Sequence, residues 1–115
     1  LGTNPLSIKK YLGKKFKNVY SCINFNSKIY RSITDMLWIW IANRSDAVIV
    51  MWKNANSLSM HYVAGIKDKN GEFTFYNAGQ DFNNPMTMME FLRTCRKNGI
   101  SPLYILGVNG KVGGW

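Results

Sequence analysis

One histidine, two cysteines and three prolines are all that this sequence holds of those residues. Two cysteines, Cys22 and Cys95, are too few for a disulfide framework, and neither falls in a CxxC or Cys/His spacing. A structural zinc site is therefore not expected, and no cofactor motif stands in the chain. Acid is scarce too: six Asp and Glu face fifteen Lys and Arg, leaving a net charge of +9. That imbalance favours anionic partners, whether nucleic acid, an acidic protein or an anionic surface. Long apolar runs are also missing. MLWIWIA and AVIVMW are separated by NRSD, and each is far short of the roughly 20 residues that cross a bilayer, so no transmembrane segment is expected. Leu1 is followed by polar residues rather than by a basic head and an apolar run, so no signal peptide is read, and a mature, processed or excised domain is expected. A soluble chain follows, cytoplasmic or secreted as part of a larger polypeptide.

What the chain does have is apolar substance. Hydrophobic residues make up 46% and aromatics 14% of 115 residues, too rich for disorder and long enough for one core, so residues 1–115 read as a single domain. The densest basic stretch, KKYLGKKFK, places five lysines within residues 9–17 and reads first as a solvated helix face.

TNPLSIKKYL predicts a first helix, with Thr3 or Asn4 as cap, Pro5 in the first turn and Gly13 as the stop. KNVYSCINF alternates like a short strand. Residues 27–44 carry Ile29, Ile33, Met36, Leu37, Trp40 and Ile41 at helical spacing and predict a central, mostly buried helix capped by Asn26 or Ser27. DAVIVMWK is a continuous apolar run of the interior-strand kind. HYVAGIKD, KNG and EFTFYNAG then read as a hairpin turning on Asn70 and Gly71. A helix over residues 86–98, with Met88, Leu92 and Cys95 inward, a closing strand SPLYILGVN and a loose GKVGGW tail complete the order α-β-α-β-β-β-α-β. Helices in front and an antiparallel sheet behind give an α+β layer fold.

The hairpin opens on the only histidine, His61, and its second strand closes on Asn77. A cysteine peptidase needs a thiol at a helix N-terminus, an imidazole to take its proton, and an Asn or Asp to orient that imidazole. A His opening one strand and an Asn closing its neighbour meet the last two demands. HYVAGIKDKNGEFTFYNAGQD resembles the His-to-Asp segment of the papain-like bacteriocin-processing leader peptidases, with Asn77 where that family has Asp and Ala78 where it has Pro. LGTNPLSIKKYLG is similar to that family's nucleophile helix from Gly2 through Leu6 to Tyr11, Leu12 and Gly13. Leu1 stands at the cysteine position.

The resemblance implies a papain-like fold with His61 as base and Asn77 as its orienting partner. A Leu side chain neither ionises nor attacks a carbonyl, so it also implies a degenerate domain that binds a peptide or protein in the former cleft. The expected groove is lined by Leu1, His61, Trp52, Tyr62 and Tyr76, with Gln80 and Asp81 as secondary hydrogen-bonding groups. Two alternatives stay open. One is an active cysteine peptidase in which Leu1 replaces a natural thiol or the alignment is shifted by a residue or two; Cys22 and Cys95 themselves sit among apolar residues as small core side chains. The other is a small basic toxin, ribonuclease or nucleic-acid-binding module, using His61, Tyr62 and a Lys or Arg as acid, base and phosphate clamp and taking an acidic inhibitor protein as partner.

Overall fold

A computed structural model describes residues 4–25 and 27–113. Helix α1 spans Pro5–Lys15. The Asn4 side chain accepts the Leu6 N–H at 2.8 Å, and Pro5 occupies the first turn, where no donor is needed. The helix continues through Gly13 rather than ending there, because that glycine keeps a helical backbone in open space; its cost is propensity alone. Strand β1, Phe16–Ile23, follows without a loop. Then come α2 (Arg31–Arg44), β2 (Ala47–Asn54), β3 (Met60–Lys67), β4 (Phe73–Tyr76), a short 3-10 turn at Gln80–Phe82, α3 (Met88–Lys97) and β5 (Ile100–Lys111). The fold is α+β, three helices on a five-stranded antiparallel sheet, in the element order that the sequence predicts.

Strand order is β1-β5-β2-β3-β4. The last strand inserts between β1 and β2, antiparallel to both, and one row runs across the sheet through Cys22, Ile105, Val50 and Val63. The β3–β4 turn is set by Asp68, whose carboxylate accepts the Asn70 and Glu72 N–H groups at 2.8 and 3.1 Å, while Gly71 takes φ 80°.

Alternation gives the sheet two unlike faces. Val48, Val50, Val63, Phe73, Phe75 and Ile105 point into the main core, where they meet Trp38 of α2 and Phe91 of α3. Phe75 stacks on Phe91 with ring centroids 4.3 Å apart. Helix α2 can lie close because β5 carries Gly107, where a Cβ would stand 2.6 Å from Ile41 Cγ2. Helix α1 lies on the opposite face over β1 and β5. There Lys9 donates to Ser21 Oγ at 3.0 Å, and Leu12 packs near Phe16, Leu106 and Val108.

Several expectations give way to tertiary structure. The central helix starts at Arg31 rather than 27, with Tyr30 at its N-cap and no side-chain cap, and of its predicted inward residues only Ile41 is buried while Ile29, Ile33, Met36, Leu37 and Trp40 are exposed. The last helix starts at Met88 rather than 86, because Thr87 and Glu90 form a reciprocal capping box and Met86 is held by Phe73 instead, with Phe73 N–H donating to Met86 O at 2.7 Å and Met86 N–H to Phe73 O at 3.0 Å. The expected loose tail is partly strand: β5 runs to Lys111, and Val112 N–H donates to Lys15 O at 2.8 Å.

Candidate functional site

Among the described residues, the second face of the sheet is only half covered. Helix α1 shields β1 and β5 but stops short of the β3–β4 hairpin, and a cavity of about 430 Å³ opens between them. Its walls are Ile8 of α1, Ile49 of β2, Tyr62, Val63 and Ala64 of β3, and Tyr76 and Asn77 at the end of β4. A second hollow of about 180 Å³ shares Ile49 and Ala64 and runs on beneath Leu12 towards Leu106 and Val108. Together they make an apolar trough parallel to α1.

Each wall has a local cause. In β3 the residues Tyr62, Ala64 and Ile66 alternate with Val63 and Gly65, so one set turns to the trough and the other to the core. Small Ala64 leaves depth where a larger side chain would fill the floor. Beyond Tyr76 the chain leaves the ladder at Asn77, whose φ of 57° is left-handed. Asparagine tolerates that backbone, and the bend breaks the alternation that would otherwise send residue 77 to the face of Phe73 and Phe75.

Of the residues singled out in the sequence, Tyr62, Tyr76 and Asn77 line this trough. His61 is exposed at the start of β3, its Cα opposite Trp52, and it keeps the phase of Val63 and Gly65 rather than that of Tyr62. The last rung of the β3–β4 ladder is Ala64 opposite Tyr76, so Asn77 lies one residue past it and His61 three. Trp52, expected in the groove, is instead a core residue, 5% exposed and packed between Phe82 and Phe91 at 5.1 and 6.0 Å. Alternation in β2 puts it on the same face as Val48 and Val50. Gln80 and Asp81 are exposed in the 3-10 turn, where the Gln80 carbonyl accepts the Asn83 N–H at 3.3 Å. Leu1 lies outside the described residues.

Neither cysteine has the surroundings of a nucleophile. Burial pushes the Cys22 thiol up from its ordinary range, and the thiol donates to the Ile23 carbonyl at 3.1 Å. Strand β1 is separated from β3 by β5 and β2, three strand spacings or roughly 14 Å, whereas a thiol and its base must be in hydrogen-bond reach. Cys95 is wholly buried in α3, and desolvation pushes its thiol up to about 12. Among the described residues no three His, Cys, Asp or Glu side chains gather as a metal site, and no helix is long and apolar enough to cross a membrane.

Ile8, Ile49 and Ala64 do not stand out as site residues by type or spacing. One signal was present: HYVAGIKD is apolar at both alternating sets, which marks a strand that meets apolar surface on both sides. The rim is basic. Lys10, Lys14 and Lys15 are exposed along α1, and the Lys15 ammonium lies 5.7 Å from the Tyr11 ring centroid.

Comparison of the chain with family models, with curated proteins and with solved structures finds no significant match.

Proposed function

We propose that this chain is a peptide-binding domain built on a papain-like plan, in which the trough between α1 and the β3–β4 hairpin holds an extended, apolar peptide segment. The observation that carries the reading is the cavity of about 430 Å³ between Ile8 and the set Tyr62, Ala64, Tyr76 and Asn77. Ligand sites are concave, mostly apolar and furnished with a few polar groups, here the two phenols and one amide. The basic charge of α1, the helix that carries one wall, favours acidic side chains at the ends of the bound segment. Binding without cleavage is the role that suits the residues present, since the thiols of Cys22 and Cys95 are both held protonated by burial.

The test is fluorescence anisotropy with a labelled nonapeptide alternating Val or Leu with Asp or Glu, followed by mass spectrometry of the peptide. Saturable binding is expected, with the peptide recovered intact. Ala64→Arg fills the floor and should weaken binding at least about tenfold, the usual scale of a hot-spot loss. Equal affinity in wild type and A64R overturns the site. Cleavage that iodoacetamide abolishes restores the peptidase alternative, and tighter, strongly salt-dependent capture of single-stranded RNA favours the basic nucleic-acid-binding module.

A further inference from the structure

Helix α2 has two apolar faces, and the sheet uses only one. Thr34, Trp38, Ile41 and Ala42 are buried against the core. On the other side Ile33, Met36, Leu37 and Trp40 are 58, 71, 46 and 45% exposed, at the i, i+3, i+4, i+7 spacing of a helix-packing stripe. Ile29, 80% exposed, extends the stripe by one turn. The surface is concave: Ile33, Met36, Leu37 and Trp40 enclose a hollow of about 410 Å³. A second hollow of about 210 Å³ opens on the far side of Leu37 and Trp40, walled by Tyr20, Ser21, Cys22 and Ile41. Trp40 is fixed between them, edge-on to Tyr20 at 5.7 Å and covered by the Arg44 guanidinium at 3.8 Å. A rigid, half-exposed Trp with Arg stacked on it has the composition of an interface anchor.

Charge identifies the occupant. Exposed Lys28 stands before the start of the stripe, and Arg44 stands at its end over Trp40. The one acid of α2, Asp35, is paired with Arg96 and also accepts the Asn24 amide at 3.1 Å, so it does not offset them. We propose that the outer face of α2 is a docking groove for an acidic amphipathic helix, whose apolar side chains enter the two hollows while Asp or Glu on its flanks meet Lys28 and Arg44. A second copy of this chain brings the same cations face to face at a net charge of +9 each, and is disfavoured on that ground. A membrane surface cannot send knobs into two separate hollows, as a helix does.

The site is separate from the trough, since α2 and α1 lie on opposite faces of the sheet. The experiment uses a labelled 18-residue helix with Leu and Ile at i, i+3, i+4 and i+7 and Glu at the flanking positions, alongside the same helix with Lys for Glu. The Glu helix is expected to saturate, and to bind at least about tenfold more tightly than the Lys helix at low salt. Met36→Glu and Ile33→Glu, both at exposed positions, should each reduce affinity about tenfold or more while circular dichroism and melting temperature stay unchanged. A64R should leave helix binding intact. Equal binding of both helices, or full affinity in M36E and I33E, overturns the proposal. So does a concentration-dependent dimer or capture by phosphatidylserine vesicles that M36E removes while no helix binds.

Discussion

The ring of Phe75 lies directly over the backbone of Gly65, so close that a Cβ on that glycine would stand 2.7 Å from Cε1. Val48 Cγ2 closes the other side at 3.2 Å. Gly65→Ala must push Phe75 off Phe91, and overpacking of this kind costs about 1–3 kcal/mol. Urea unfolding should show a lower midpoint at unchanged slope. Phe75→Leu in the same chain should recover part of the loss, since the two positions share one space. A G65A midpoint equal to wild type contradicts this packing.

Asn77 sits at φ 57°, where a β-branched residue is strained. Asn77→Val should cost about 1–2 kcal/mol, while Asn77→Gly should change stability by a few tenths at most. The pair separates backbone from side chain: if the amide contacts a ligand in the trough, N77G loses affinity at constant melting temperature.

Burial holds the Cys95 thiol at about 12 against an ordinary 9.0. The folded state therefore keeps its proton where the unfolded chain has already released it. The stability from this group is complete below about pH 9 and is lost as pH rises from there towards 12. Cys95→Ala should flatten that alkaline decline in a series of urea titrations, whatever its effect at neutral pH. At pH 7.5 iodoacetamide should label both cysteines more slowly than it labels free cysteine, Cys95 only on unfolding. Fast labelling of either contradicts the protonated assignment.

Lys67 reaches from β3 to the end of α2, where its ammonium donates to the Ala42 carbonyl at 2.6 Å. It thereby satisfies one of the carbonyls that a helix end leaves without an intrahelical donor. Burial lowers the lysine's pKa, and Asp46 opposes that shift. Lys67→Met should lower stability by about 1 kcal/mol, and Lys67→Arg by less, in thermal melts at pH 7.

Local patterns that one element settles alone were legible. Met88, Leu92 and Cys95 face inward as their spacing predicts, and Gly71 makes the turn of the hairpin. Decisions that need a neighbour were not. Periodicity shows that α2 is apolar on most of its circumference, but only packing decides that Trp38 goes in and Trp40 stays out. In the same way Trp52 reads as an aromatic near a candidate cleft until the phase of β2 sends it to the core with Val50. The trough was half legible: Tyr62, Tyr76 and Asn77 stood out by type, whereas Ile8 and Ala64 matter through where α1 ends up. His61 and Asn77 looked like partners because they end paired strands, and the left-handed bend at Asn77 is a backbone event that hydrophobic alternation does not encode.

The two hydrogen bonds between Phe73 and Met86 also bear on what the sheet can recruit. Strand β4 is an edge of only four residues, and the peptide groups that turn away from β3 belong to Phe73 and Phe75 alone. Met86 already occupies those of Phe73, and Pro85 before it brings no N–H to a ladder. An incoming strand therefore finds a single residue's worth of template at this edge, which seals that side of the sheet against strand addition and amyloid-type growth.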